Sequence, residues 1–121
     1  MAGGKSIRPH YNLETWKESM ALVKAVYELT RQLPSSETYG LIAQMRRAAV
    51  SIPSNIAEGA ARTGAKEFAQ FLNIAKGSLS ELETQILIAR DLGYIREIED
   101  ILDQTNKVSR LLAGLHKSVV R

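Results

Sequence analysis

The chain has 121 residues, enough to bury one hydrophobic core and too few for two comfortable ones, so a single folding unit is expected. Apolar residues make up 45% and charged residues 24%, close to the globular average, which argues against a disordered or fibrous chain. Sixteen basic and thirteen acidic residues leave a formal charge of only +3, mild for a dedicated nucleic-acid coat; with no cysteine, a disulfide framework, a thiolate nucleophile, a cysteine-based zinc site and an iron–sulfur cluster are excluded.

Residues 1–12 read as a flexible basic segment carrying Lys5 and Arg8 without an acid, and 13–121 as one helical domain. The opening segment has no apolar stretch of signal-peptide length, and no run reaches the roughly eighteen apolar residues of a membrane span. Export and membrane insertion are therefore not expected, and the lack of cysteine fits a reducing cytoplasm.

From Leu13 to Leu33, Leu13, Trp16, Met20, Val23 and Tyr27 recur at helical spacings and line one face of a first helix, with Asn12 as its cap. A second stripe, Leu22, Val26, Leu29 and Leu33, runs beside it. Together they are wider than one partner helix needs. Pro34 is expected to stop this helix. Ser36 is expected to cap a second one, with Leu41, Met45, Ala48 and Ile52 as its buried edge. Pro53 lies inside that pattern and predicts a kink near Val50 to Ser54, after which Ile56, Ala57 and Ala60 resume the period.

The third helix is the most regular: Phe68, Leu72, Ala75, Leu79, Leu82, Ile86 and Ala89 alternate spacings of four and three, between a Thr63 cap and a Gly93 stop. Small residues at Ala75, Gly77 and Ser78 suggest close approach of a neighbour, since a mid-helix glycine costs about 1 kcal/mol against alanine. A fourth helix from Arg96 to Val119 carries Ile98, Ile101, Val108, Leu112, Leu115 and Val119 on its seam. Four such helices on short turns predict an all-α, antiparallel up-and-down four-helix bundle.

Little in the chain supports catalysis. A di-metal bundle needs inward carboxylates and Glu-x-x-His pairs, whereas the two histidines, His10 and His116, have no carboxylate three residues before them. No phosphate-binding glycine loop occurs, and no serine has a histidine with a sequence reason to be near. The chain reads as a non-enzyme without metal or other cofactor.

Two groups of polar residues remain. Lys5, Arg8, Lys107, Arg110, Lys117 and Arg121 form two acid-free basic ends. They serve either as solubilising charge or as a rim for nucleic-acid phosphates. On the second helix Arg46, Arg47, Ser51, Asn55, Glu58 and Arg62 make a polar stripe across Pro53. It reads either as a local answer to the proline, with Ser54 helping and Glu58 and Arg62 paired, or as a recognition or subunit-contact surface. Trp16 falls on the apolar seam and reads as core, and Tyr94 as an anchor for the turn at Gly93.

The segments YGLIAQMRRAAVSIPSNIAEGAAR and KEFAQFLNIAKGSLSELETQILIARDLGYI strongly resemble the bacterial four-helix-bundle family named for proteins encoded in 23S rRNA intervening sequences. LETWKESMALVKAVYELT and LPSSETYGL extend the likeness to roughly Leu13–Leu115. The resemblance implies a cytosolic protein of a family whose members form ring-like pentamers. Its relatives include the accessory variability determinant of diversity-generating retroelements, a basic protein that binds nucleic acid and a reverse transcriptase. For this chain the resemblance implies an oligomeric, RNA-binding accessory role with a protein partner such as a reverse transcriptase, and no catalytic residues to carry over; a structural or protein-interaction scaffold is the competing reading. At +3 the chain departs from the strongly basic retroelement relatives.

Overall fold

A computed structural model describes residues 8–121. A short 3-10 turn at Pro9–Asn12 leads into α1 (Glu14–Thr30), and a second at Ser35–Glu37 precedes α2 (Leu41–Ala60); α3 (Ala65–Asp91) and α4 (Glu99–Val120) complete the chain. No strand occurs among the described residues. Each helix packs on its neighbours in sequence, and α4 returns to α1, while the α1–α3 and α2–α4 backbones stay farther apart. The four helices therefore surround one core as a bundle.

That core is built from Leu22 and Val26 of α1, Met45, Ile52 and Ile56 of α2, Leu72, Leu82 and Ile86 of α3, and Val108 and Leu112 of α4. Each buries its side chain almost completely, worth about 1.5–3 kcal/mol apiece before ordering entropy is counted. The four-three alternation expected for α3 is buried along its length from Leu72 to Ala89. On α4 the buried row passes through Thr105, whose hydroxyl donates to the Leu102 carbonyl at 2.8 Å and so brings no unpaired polar group into the core.

On α1 the two stripes fare differently. Leu22, Val26, Leu29 and Leu33 are buried, while Met20 and Tyr27 of the other stripe are exposed, and Leu13, Trp16 and Val23 are half-covered. Trp16 is half-covered and packs against the core from its edge, flanked edge-on by His10 at 5.0 Å and tilted against Tyr11 at 5.6 Å. His10 and Tyr11 belong to the Pro9–Asn12 turn, which packs on α1 and α2 at the end of the segment expected to be flexible.

Helix ends differ from the sequence expectation in a consistent way. Asn12, Ser36 and Thr63 do not cap; Leu13, Gly40 and Gly64 hold the N-cap positions, without side-chain cap bonds. Asn12 and Ser36 are drawn into 3-10 turns, and the extended backbone before α3 falls on Gly64 rather than on Thr63. α1 ends at Thr30, short of Pro34, because its last turn tightens: the Arg31, Gln32 and Leu33 amides donate to Glu28, Leu29 and Thr30 carbonyls at 3.1–3.2 Å. As the resumed period after Pro53 predicts, α2 continues through the proline to Ala60, with the proline ring buried. Packing on both sides of Pro53 outweighs the one backbone bond lost.

Gly93 does stop α3. With φ +80°, its amide donates to Arg90 and the Tyr94 amide to Ala89, the pair of bonds that closes a Schellman cap. Gly77, by contrast, meets nothing: a Cβ built there has no atom within 4 Å. The close approach between α2 and α3 lies at Gly59, where a Cβ would come within 2.8 Å of Phe71 Cβ and 2.9 Å of Phe68 Cδ1.

Candidate nucleic-acid interface and subunit contact

The basic end of α4 follows from its period. Arg110 and Lys117 are exposed, on the side of the helix away from the buried row Ile101–Thr105–Val108–Leu112, and Arg121, also exposed, follows the last turn. No acid follows Asp103 to offset them. Lys107 is on the same side, but its Nζ lies 3.4 Å from Glu18 Oε1 of α1, so part of its charge is already answered. Arg8 is exposed on a different element, just before the Pro9–Asn12 turn, and Lys5 lies outside the described residues.

Two side chains that nothing in the linear pattern pairs with each other, Lys66 and His116, come to one cleft beside Arg121. An open cleft between the start of α3 and the end of α4 is lined by Lys66, His116 and Arg121 over an apolar floor that includes Ala69 and Val119. Lys66 and His116 are fifty residues apart, and no spacing links them. Only the packing of α3 against α4 brings them to one cleft.

The polar stripe of α2 splits into three arrangements. Arg46 turns to α1: its Nε donates to Thr30 Oγ1 at 2.9 Å and its Nη2 to the Tyr27 carbonyl at 3.4 Å, with the guanidinium 4.4 Å from the Tyr27 ring centroid. A cation is favourable at this C-terminal end of α1, where it joins the Thr30 hydroxyl in donating to the Tyr27 carbonyl. Ser51 and Ser78 hydroxyls meet at 2.9 Å across the α2–α3 contact, and Asn55 Nδ2 donates to both the Ser51 carbonyl and hydroxyl. Arg47 is exposed beside this pair, in a shallow cleft it shares with Gln44 and Glu81. Farther along, Glu58 and Arg62 pair at 3.4 Å, and Arg62 also covers the Phe71 ring at 5.0 Å. Asn55 thus steadies Ser51, whose hydroxyl meets Ser78, a partner legible in the sequence only as a small residue.

At the opposite end, Glu37 joins two loops. Its Oε1 accepts the Leu41 amide at 3.0 Å, capping α2 from the preceding turn, and its Oε2 accepts the Tyr94 hydroxyl at 2.9 Å. The amide bond, then the Tyr94 bond, hold the Glu37 carboxyl below its ordinary value, and the same carboxylate raises the Tyr94 hydroxyl. Gly40 leaves room for this: a Cβ there would sit 2.7 Å from Glu37 Oε1.

Among the described residues no three His, Cys, Asp or Glu side chains gather as a metal site, and no helix is long and apolar enough to cross a membrane. A comparison with curated proteins found no match. The family model of the 23S rRNA-intervening sequence protein matches residues 11–114, a span that includes all four helices except the last residues of α4. The chain belongs to the 23S rRNA-intervening sequence protein family.

Proposed function

We propose that this chain is a non-enzymatic, cytoplasmic accessory protein that assembles into a ring, most simply a pentamer, and binds RNA or another nucleic acid through its basic ends. The observation that carries this reading is the acid-free stretch after Asp103, where Arg110 and Lys117 of α4 and Arg121 just beyond it are exposed. One such end binds weakly. Repetition around a ring multiplies the field, so a small charge per chain suffices for a long polyanion. In the same reading the helices run up and down, each antiparallel to its neighbours. Supporting contacts join Thr15 with Leu111, Thr30 with Arg46 and Ser51 with Ser78.

The test is a mobility-shift titration with structured RNA at several salt concentrations. Log affinity is expected to fall linearly with log salt, by about 0.7 to 0.9 per phosphate neutralised. Replacing Lys107, Arg110 and Lys117 together with Gln is expected to flatten that slope and weaken all sequences alike; unchanged binding overturns the assignment to α4. Arg110 and Lys117 carry most of the effect, because Lys107 is engaged with Glu18.

A second reading, a scaffold that binds only protein, a reverse transcriptase among the candidates, is favoured by the apolar side chains left on the surface, Met20, Ile74, Ile88 and Leu92 among them. No RNA binding by the parent chain at low salt, together with an intact oligomer, decides for it.

A further inference from the structure

Two unlike faces carry exposed apolar side chains. The first lies on the outside of the α1–α2 pair. Met20 is 47% exposed and Val50 40%, and with Trp16, Val23, Pro53 and Ala57 they line one open apolar groove. Lys17, Lys24 and Arg31, all exposed, follow one another at intervals of seven along α1 and its C-cap, and with the exposed Glu28 between the last two they form a row of three cations and one acid beside Met20. The second face is a ridge on α3. Ile74 is 51% exposed, Ile88 43% and Leu92 57%. Glu67 and Glu81, also exposed, occupy the same heptad row as Ile74 and Ile88. One face is apolar with a basic border; the other is apolar with acids set into it.

Gly77 sits within the ridge, one turn from Ile74 and from Glu81. It is exposed and a Cβ there would meet nothing, so no contact inside the chain offsets what a mid-helix glycine costs. The approach such a residue permits is available only to another molecule.

We infer that the ridge of one copy docks into the α1–α2 groove of the next, so that self-association is head-to-tail, with Ile74 and Ile88 entering a groove walled by Trp16, Met20 and Val50 and Glu81 facing the Lys17–Lys24–Arg31 border. This rests on the proposal that the chain is a homo-oligomer and assigns its surfaces. Two different faces cannot satisfy each other in an isologous pair, in which one patch must complement itself. Both faces adjoin α2: the groove lies between α1 and α2, and the ridge runs beside Ser78, which bonds to Ser51 of α2. They therefore stand at an angle rather than back to back, and successive copies turn toward closure.

The absence of cysteine allows a direct test. Met20→Cys, Ile88→Cys and the double variant are each treated with a short bis-maleimide and separated on denaturing gels. The single variants are expected to remain single chains and the double variant to give a ladder of linked chains. A two-chain product from Met20→Cys alone sets the groove against itself and overturns the head-to-tail contact, as does a double variant without a ladder. Light scattering of Met20→Asp and Ile88→Asp supplies the second arm: each is expected to lose the parent mass, with helix content by circular dichroism unchanged. A parent chain that is itself monomeric removes the oligomer proposal as a whole. A parent that assembles while Ile88→Asp keeps its full mass removes only this assignment of faces.

Discussion

The two stripes of α1 have the same period and nearly the same apolarity, yet Leu22, Val26 and Leu29 are buried while Met20 and Tyr27 face out. What separates them is company. The buried stripe points between α2 and α4, both of which pack on α1. The exposed one overhangs the outer edge of α2, where Val50 and Ala57 cover only part of it. Burial is thus a property of the neighbours, and a stripe that finds none becomes a surface for something else.

The largest effect expected from this contrast is at Leu22, whose truncation to alanine removes a fully buried side chain and is expected to destabilise the chain by about 2–5 kcal/mol in urea unfolding. A smaller loss is expected at the tightest α2–α3 contact. Gly59→Ala drives a Cβ into Phe71 Cβ and toward the Phe68 carbonyl, an overpacking that typically costs about 1–3 kcal/mol. The same substitution at Gly77, which meets nothing, is expected to raise stability by about 0.5–1 kcal/mol when measured dilute enough to keep chains apart. If the two glycines respond alike, the crowding assigned to Gly59 is wrong.

The smallest substitution effect is expected on the outer stripe. Met20→Ala is expected to change unfolding free energy by no more than about 0.5 kcal/mol at that dilution; a loss equal to that of Leu22→Ala would mean that both stripes are core. Where chains assemble, the same change is expected to weaken association.

The loop joint at Glu37 gives a pH signature independent of either stripe. The Glu37 carboxyl is held below its ordinary 4.5, first by the Leu41 amide and then by Tyr94, so its contribution is complete above 4.5 and is lost as pH falls through the lower folded value. The Tyr94 hydroxyl is raised above its ordinary 10.0, first by its bond to Glu37, so its contribution is complete below 10.0 and is lost as pH rises through the folded value. In Tyr94→Phe, the acid decline of melting temperature is expected to be smaller and to end nearer 4.5, because the folded value of Glu37 moves toward its ordinary one, and this part of the alkaline decline is expected to be lost. An acid limb identical to that of the parent would show that the Tyr94 bond does not hold Glu37.

Residue spacing alone was enough for the helical class, the number of helices and the buried row of α3, because a strict alternation of four and three from Leu72 to Ala89 admits one face. It was enough, too, for the stop at Gly93, since a left-handed φ at a helix end is cheap only for glycine. The bonds of Ser51 and Arg46 were legible only as a polar stripe, because the partners, Ser78 and Thr30, are on other helices, whereas Asn55 bonds to Ser51 one turn back on its own helix, the local arrangement that the spacing offered. The capping of α2 by Glu37 was missed for a related reason: the acceptor comes from a turn whose shape is fixed by Tyr94, fifty-seven residues away. Which stripe of α1 is buried, which glycine is crowded, and the meeting of Lys66 with His116 emerged only once the helices were packed together. Periodicity describes one helix at a time, whereas burial and convergence depend on how far each helix is rotated toward its neighbours.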